Sequence, residues 1–249
     1  MMCEKNSGVM LELFDVSMSF RSKKSTFENG LHHVLDSVSL KLHEGETLGV
    51  VGENGCGKTT ILRLMAGIIP PDSGVIHQRS DACSALLTIG LGFKPNLSGR
   101  DNAVIAAMLQ GSSQRQAESY LSDIQEFSEL GNSFDEPVKT YSSGMKSRLG
   151  FSTALLAHVD IMLIDEILSV GDTRFKQKAE AALRERIEGE QTVVFVSHSE
   201  SQVQSLCDRA IWLHEGKIAD QGDTSMVLES YAEHVKSVSK KTADELGCW

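Results

Sequence analysis

The sequence has few prolines and no long apolar run, and both absences narrow the kind of protein it encodes. Prolines number only 4 in 249 residues, which argues against extended disorder. No stretch approaches the roughly 20 consecutive apolar residues that span a bilayer. The N-terminus, MMCEKNSGVM, carries charged and polar residues where a signal peptide has an apolar segment. We therefore expect a folded globular chain that does not itself enter a membrane.

Paired cysteines and an excess of basic residues are also absent. The 5 cysteines are odd in number, widely spread and free of any CxxC pair, so neither a disulfide framework nor a zinc site is indicated. This cysteine usage is typical of a reducing cytoplasm. The formal net charge of −10 argues against nonspecific binding to nucleic acid, because a basic face supplies most of the attraction to phosphates. We therefore expect no nucleic-acid partner.

Near the N-terminus, two patterns predict strands and a third predicts a helix. Residues 34–42, VLDSVSLKL, alternate apolar and polar side chains with the period of a half-buried strand. Residues 47–52, TLGVVG, read as a continuously apolar strand covered on both faces. Residues 59–68, TTILRLMAGI, have helical spacing. The order strand, glycine loop, helix is therefore predicted around residues 52–59.

The rest of the chain indicates an inserted helical subdomain followed by alternating strands and helices. Strands separated by a helix build a parallel sheet. We therefore predict an α/β fold with a mixed or parallel sheet core, an N-terminal antiparallel β region and an inserted helical subdomain. Within one domain over residues 1–249, the core is expected at 10–90 and 157–235, the helical subdomain at 91–156 and a tail at 236–249. The predicted later elements are helices at 101–109, 114–130, 144–156, 173–187 and 225–235, strands at 161–164 and 192–196, and a hairpin at 210–220.

Residues 52–59, GENGCGKT, match the phosphate-loop (P-loop) pattern G-x-x-x-x-G-K-[ST] in the strand-and-helix context that this motif requires. Its glycines let backbone N–H groups curl around an anion, and the following helix N-terminus adds partial positive charge. Lys58 is predicted to reach the β- and γ-phosphates of a nucleotide, Thr59 to bind Mg²⁺, and Thr60 to contact the α-phosphate. The thiol of Cys56 is interpreted as a bystander. The predicted nucleotide-binding set of this loop is Gly52, Asn54, Gly55, Cys56, Gly57, Lys58, Thr59 and Thr60.

Acidic and histidine side chains follow two other predicted strands. Asp165 and Glu166 come directly after the apolar run 161–164, and His198 follows the run 192–196. Ligands of open α/β sheets bind at the carboxyl ends of the strands. Asp165 is therefore predicted to bind Mg²⁺, Glu166 to act as the base that positions the attacking water, and His198 to contact the γ-phosphate. The predicted catalytic set is Lys58, Glu166 and His198.

Together, the P-loop, the carboxylate pair, His198 and the stretch YSSGM at 141–145 resemble the ATP-binding cassette (ABC) ATPases. The resemblance covers about residues 11 to 235. In that family a signature segment, commonly LSGGQ, completes the P-loop of a second subunit, and YSSGM stands in its place. The resemblance therefore implies a P-loop NTPase fold, ATP and Mg²⁺ as cofactors, and a homodimer in which two copies pair head to tail around two ATP molecules.

Further site residues follow from that resemblance. Ser142, Ser143 and the N–H of Gly144 would bind the γ-phosphate of ATP held by the other copy, using the start of a helix as an anion site. Residues 169–172, SVGD, match the position of the loop that crosses the dimer interface. These implied contacts explain why YSSGM has no partner visible in its own sequence.

Two stretches depart from the pattern of the family. The glutamine that senses Mg²⁺ and the attacking water is missing, and LTIGLGF at 87–93 stands in its place. The aromatic residue that stacks on adenine is best matched in position by Phe20, with His33 as the second candidate. A third interpretation is that Phe20 is an ordinary core residue of a strand and contacts no nucleotide.

These departures are similar to the ATPases of bacterial polysaccharide exporters. YSSGM in the signature position, GLGFKPNLSGRDN at 90–102 and the longer segment 21–31 all resemble that branch, which exports lipid-linked O-antigen, capsule or teichoic acid chains. The resemblance implies a peripheral, transport-coupled ATPase at the cytoplasmic face of the bacterial inner membrane. A separate integral membrane permease would handle the glycolipid and dock near residues 90–100.

Two other functions stay open. One is the ATPase of a lipid or drug exporter. The other is a soluble ABC ATPase that acts on nucleic acid, which would show coiled-coil heptads, a tandem second cassette or a basic surface; none of these appears in the sequence. The chain ends at Trp249 without room for the carbohydrate-binding domain that some polysaccharide exporters carry, so recognition of the glycan end is expected to be absent or lost by truncation.

Overall fold

The chain forms two compact units, one built from residues 1–79 and 193–249 and the other from residues 80–192. The structure is a computed structural model that describes residues 8–21, 31–87, 90–165, 172–197 and 199–246, with side chains described as far as residue 237. The strands of this part are β1 (Val9–Arg21), β2 (Leu31–His43), β3 (Thr47–Val51), β4 (Ser73–Gln78), β5 (Ser84–Leu86), β6 (Ile161–Asp165), β7 (Thr192–Val196), β8 (Arg209–His214) and β9 (Lys217–Asp223). The helices are α1 (Lys58–Met65), α2 (Gly99–Leu109), α3 (Gln114–Ser119), α4 (Leu121–Ser128), α5 (Ser143–Leu156), α6 (Thr173–Glu188), α7 (Glu200–Leu206) and α8 (Thr224–Leu246).

An antiparallel sheet with the order β2-β1-β4 forms one part of the first unit. Successive side chains of a strand point to opposite faces of the sheet. In β1 and β2, buried residues accordingly alternate with more exposed ones over much of each strand. Asp15 and Ser37 have positive φ angles of 52° and 54° where the pairing of β1 with β2 shifts register. The predicted strand at 34–42 and the predicted antiparallel β region are both confirmed.

Parallel strands lead to the P-loop in the same unit. Here the order is β7-β3-β8-β9, with β3 parallel to both of its neighbours and β8 and β9 forming an antiparallel hairpin. Every residue of β3 is buried, as its apolar sequence predicts. Val50 lies opposite Val196 of β7 and Ile211 of β8. The carboxyl ends of β3 and β7 therefore meet at one edge of the sheet.

Helices dominate the second unit. The strands β5 and β6 pair in parallel, and α2 to α6 belong to the same unit. Two short 3-10 segments, Gly131–Asp135 and Val138–Thr140, precede α5. Their residues join a buried apolar cluster that links α2, α4 and α5. The cluster consists of Ala103, Ile124, Leu130, Phe134, Val138, Tyr141 and Leu149.

Two predicted helices differ from the observed ones. The single helix predicted at 114–130 is wrong, because α3 ends and α4 begins at Tyr120, whose N–H bonds to the carbonyl oxygen of Ala117, three residues back. The closing helix predicted to end at residue 235 continues as α8 to Leu246. Its continuation is consistent with the sequence, since no glycine or proline interrupts residues 224–246. The expected boundaries of the core and the helical subdomain stay a prediction.

Candidate functional site

The P-loop leaves β3 and enters α1 with three glycines in backbone conformations that other residues rarely adopt. Gly52, Gly55 and Gly57 have φ angles of 151°, 82° and 109°. Gly57 directly precedes α1, and its carbonyl oxygen accepts the first helical hydrogen bond from the N–H of Ile61 at 2.9 Å. The first turn of α1, which is fully described, carries no acidic side chain. The loop therefore ends in a helix N-terminus suited to an anion.

The side chain of Lys58 reaches back to the first residues of this loop. Its Nζ donates to the carbonyl oxygens of Gly52 at 2.7 Å and Glu53 at 2.8 Å, and the residue is only 7% exposed. Thr59 is exposed and Thr60 half-buried on the same first turn of α1. The loop thus brings an ammonium group, two hydroxyls and a helix N-terminus together, which suits a phosphate group and a bound cation.

Close contact with neighbouring backbone fixes the course of the loop. A Cβ atom on Gly52 would lie 2.2 Å from the carbonyl oxygen of Leu213. A Cβ atom on Gly57 would lie 2.8 Å from the carbonyl oxygen of Val34. Both distances are shorter than real Cβ contacts, so the loop depends on glycine at both positions.

Cys56 contributes little reactivity to the loop. The residue is 8% exposed, and burial raises the pKa of its thiol. The buried Cys207 behaves in the same way, since burial raises its pKa to about 12. Because the thiolate is the nucleophilic form of cysteine, both thiols are poor nucleophiles at neutral pH. This supports the interpretation of Cys56 as a bystander.

The predicted catalytic residues beyond the P-loop are only partly described. Asp165 is the half-buried last residue of β6, whereas Glu166 and His198 lie outside the described residues. Ser197, next to His198, is buried, and its hydroxyl donates to Oε1 of Gln202 at 2.8 Å. Since β3 and β7 end at the same edge of their sheet, Ser197 and the start of the P-loop follow neighbouring strand ends.

The signature stretch combines a buried anchor with exposed polar residues. Tyr141 is 5% exposed, and its hydroxyl donates to the carbonyl oxygen of Ser133. Ser142 is exposed and caps α5, because its Oγ accepts from the N–H of Met145 at 3.2 Å. Ser143 is exposed and Gly144 half-buried in the first turn of this helix. The unpaired donors of a helix start therefore lie beside two hydroxyl groups.

The candidate adenine platform lies on β1. Phe20 is 39% exposed, so its interpretation as ordinary strand core is wrong. The ring of His33, the second candidate, is hydrogen-bonded through Nδ1 to Oγ of Ser19 at 2.9 Å. An exposed aromatic ring suits stacking on a base. These observations support Phe20 rather than His33 as the platform.

One charged network of the second unit was missed by the sequence patterns. Asp172 caps α6 by accepting from the N–H of Phe175 at 3.0 Å, and it forms an ion pair with Arg148 of α5. These two interactions, that of Phe175 first, lower the pKa of Asp172. An aspartate before a helix is a signal for a cap. Its ion-pair partner, Arg148, lies 24 residues earlier in the sequence, and no pattern of side chains predicts a pairing over that distance. Residues 169–171, predicted to cross a dimer interface, lie outside the described residues.

The chain is similar in sequence to a family of known proteins and to individual relatives. The family described as ABC transporter matches residues 35–169, which is more than half of the chain. The teichoic acids export ATP-binding protein TagH of Levilactobacillus brevis is 43% identical over 202 residues, covering 81% of this chain and 55% of the relative. TagH of Listeria innocua is 41% identical over 210 residues, covering 84% of this chain and 62% of the relative. The chain thus spans less than two thirds of the length of these relatives.

Solved structures match the fold. A dimeric ATP-binding cassette in a post-hydrolysis state with ADP and Pi has a TM-score of 0.68 and 20% identity, covering 86% of this chain and 99% of the other. An ATP binding subunit of an ABC transporter has a TM-score of 0.70 and 21% identity, covering 90% and 93%. The predicted α/β fold of the P-loop NTPase type is therefore confirmed.

Proposed function

The chain belongs to the ABC transporter family, and from this premise we propose that it is the ATP-hydrolysing subunit of a bacterial exporter. ATP hydrolysis by this subunit drives export of a lipid-linked polysaccharide of the teichoic acid, O-antigen or capsule type through a separate membrane permease. The single observation that carries the ATPase assignment is the P-loop. The loop brings the Lys58 ammonium group and the N-terminus of α1 together. Close contact with neighbouring backbone requires glycine at two positions of this loop.

The chain's own residues fit ATP and Mg²⁺. The P-loop backbone and Lys58 bind and neutralise phosphate oxygens, while Thr59 and Asp165 supply oxygen ligands of the type that Mg²⁺ prefers. Glu166 takes the proton of the attacking water, and His198 orients that water at the γ-phosphate. When bound, the metal spreads the negative charge that develops on the phosphate oxygens. Phe20 stacks on the adenine.

A second copy of the chain completes each ATP site. Ser142, Ser143 and the N–H of Gly144 offer hydrogen-bond donors at the exposed N-terminus of α5. This helix start suits the γ-phosphate of ATP bound in another copy's P-loop. We therefore expect a head-to-tail dimer with two ATP molecules between the copies.

The proposed cargo and location rest on the relatives. TagH of both organisms is described as a teichoic acids export protein. Among the described residues, none of the helices combines the length and apolar character needed to cross a membrane. From the names of these relatives we infer that a permease provides the path for the glycolipid, and that the chain lies peripherally at the cytoplasmic face of the inner membrane. The permease contacts residues 90–100.

A Glu166→Gln variant is expected to bind ATP and accumulate as the closed dimer, with hydrolysis lowered by at least about a hundredfold, because glutamine does not accept the proton from water. Size-exclusion chromatography with ATP measures the dimer, and phosphate release measures turnover. Glu185→Gln, at an exposed position on α6, is the matched control and should behave like the parent. Equal turnover in Glu166→Gln and the parent would remove Glu166 from the mechanism.

The cargo is tested separately with the complete exporter. In vesicles that contain the chain with its permease, lipid-linked teichoic acid should stimulate ATP hydrolysis, because productive closure of the dimer is coupled to an occupied permease. The same lipid without its glycan serves as the control. Stimulation by the bare lipid or by hydrophobic drugs alone would instead favour a lipid or drug exporter.

A further inference from the structure

Helix α8 of the first unit carries a line of exposed residues on the side that faces away from the sheet. This outer stripe repeats every three or four positions and consists of Met226, Glu229, Glu233 and Lys236. Residues at this spacing lie one above the other on a helix. Tyr231, two positions from both glutamates, lies on the opposite side and packs against Trp212 of β8, with ring centroids 5.9 Å apart. The stripe is therefore the solvent face of α8.

The charges of the outer stripe are separated along the helix. Glu229 and Glu233 stand four residues apart, and Lys236 and Lys240 follow with the same separation. Like charges at this spacing destabilise an isolated helix. The helix dipole does not explain the order, because its effect fades beyond the first and last turns and these positions are interior to Thr224–Leu246. Glu229, Glu233 and Lys236 form no ion pair with any residue whose side chain the structure describes.

A recess beside the acidic half of the stripe has only carboxylates as charged groups among its described lining residues. It lies between β9 and α8 and has a volume of about 320 Å³. Its carboxylates are those of Asp220, Asp223, Glu229 and Glu233. Met226, which is 68% exposed, adds an apolar surface to the same recess. Such a surface fits the cationic head and apolar stem of lysine.

The outer stripe is complementary to a second copy of itself. When two copies of α8 lie side by side in opposite directions and Glu233 faces Lys236 of the second copy, Glu229 faces Lys240. Both matches occur together because each step along the helix is four residues. The arrangement has a two-fold axis, so each pair forms twice. The basic half of each helix then lies against the acidic half of the other.

We propose that the outer stripe of α8 is a second contact surface of the dimer, at which α8 pairs antiparallel with α8 of another copy. The inference rests on the proposed head-to-tail dimer around ATP. That dimer is also two-fold symmetric, so a single axis relates both contacts. The helix pairing uses no nucleotide. It adds affinity to the ATP-mediated contact, because the first contact raises the effective concentration for the second.

The test reverses single charges at the centre of the helix pairing. Glu233→Lys and Lys236→Glu each turn two attractive contacts of the symmetric dimer into repulsive ones. Sedimentation with a non-hydrolysable ATP analogue measures the dissociation constant of the dimer. We expect each variant alone to dimerise about tenfold more weakly than the parent, the scale of two exposed ion pairs. The difference should shrink at about 1 M salt, because exposed charges are then screened.

A mixture of the two variants separates pairing between copies from effects within one helix. In a mixed dimer, the lysine that replaces Glu233 faces the glutamate that replaces Lys236. The unchanged Lys236 of the first chain faces the unchanged Glu233 of the other. The mixture should therefore dimerise with nearly the affinity of the parent, although each helix still carries like charges. Mass spectrometry of intact complexes identifies the mixed dimer.

Glu12→Lys and Lys41→Glu are the matched controls. Glu12 of β1 and Lys41 of β2 form an ion pair at 3.1 Å on the surface of the same unit, and their reversals change the net charge by the same amounts. Both variants should dimerise like the parent. Thermal unfolding without nucleotide checks that each protein is folded. If a reversal on α8 prevents folding, Glu229→Lys and Lys240→Glu test the second pair in the same way.

Several results would overturn the helix pairing. These are parental affinity in Glu233→Lys and Lys236→Glu, equal weakening in the controls, or a mixture as weak as its components. If Lys236→Glu instead weakens only cosedimentation with phosphatidylglycerol vesicles, the stripe faces an anionic membrane and not a second copy. A parent that forms no dimer with the ATP analogue overturns the proposed dimer and the inference together. A parent that dimerises without an effect of the reversals overturns the inference alone.

Discussion

Replacing Lys58 with methionine is expected to lower ATP hydrolysis by at least about a hundredfold, the scale seen when a charge-stabilising group is removed from a reaction centre. Methionine keeps an unbranched apolar stem in the buried position but removes the ammonium group that bonds to the carbonyl oxygens of Gly52 and Glu53. The phosphates then lose their nearest fixed positive charge. Phosphate release at saturating ATP measures the effect.

Lys41→Met is the control for this substitution. Lys41 lies on β2 in the same unit, is 57% exposed and pairs with Glu12 at 3.1 Å. Its replacement should leave turnover unchanged, since partly exposed ion pairs contribute little to stability. Turnover in Lys58→Met close to that of the parent would show that Lys58 does not act on the phosphates.

Replacing Gly52 with alanine is expected to abolish ATP binding and to lower the free energy of unfolding by about 3 kcal/mol, the sum of typical backbone strain and overpacking. The new Cβ atom would meet the carbonyl oxygen of Leu213 at 2.2 Å, and the φ angle of 151° is rarely adopted by alanine. The carbonyl oxygen of Leu213 belongs to the backbone of strand β8 and cannot easily move away. The P-loop backbone at Gly52 must therefore shift instead. Thermal unfolding and calorimetric titration with ATP measure the two effects.

Gly67→Ala separates backbone strain from the phosphate site. Gly67 follows α1 with a φ angle of 65°, and a Cβ atom there would meet no atom within 4 Å. This variant should lose only about 1 kcal/mol and bind ATP like the parent. If Gly52→Ala bound ATP with the affinity of the parent, close packing would not be what shapes the loop.

Local patterns predicted the strands and the P-loop because their signals lie within a few residues. The apolar run of β3 corresponds to a strand buried along its whole length, and the order strand, glycine loop, helix is the observed one. Helix ends were less predictable. Tyr120 divides α3 from α4 although it is neither glycine nor proline. Its N–H bonds to the carbonyl oxygen three residues back, instead of four, and this 3-10-type bond interrupts the α-helical pattern.

Contacts between distant parts of the sequence could not be predicted in this way. Arg148 meets Asp172 across 24 residues, and Arg209 meets Glu46 at 2.6 Å across 163 residues. Neither pair lies within one helix or one strand, so no periodicity of side chains marks it. The exposure of Phe20 belongs to the same class, because it depends on the twist and register of β1 against β2.

The buried hydroxyl of Tyr141 has a consequence for how two copies would associate in the proposed dimer. Its bond to Ser133 and its place in an apolar cluster order the residue that directly precedes the exposed Ser142 and Ser143. The conformational entropy of the proposed contact surface is therefore lost when the chain folds, rather than when the proposed dimer forms. In the proposed dimer, a surface preorganised in this way would bind a nucleotide-loaded copy with little reorganisation. In that dimer, we expect the lifetime of the closed pair to depend on hydrolysis of the γ-phosphate.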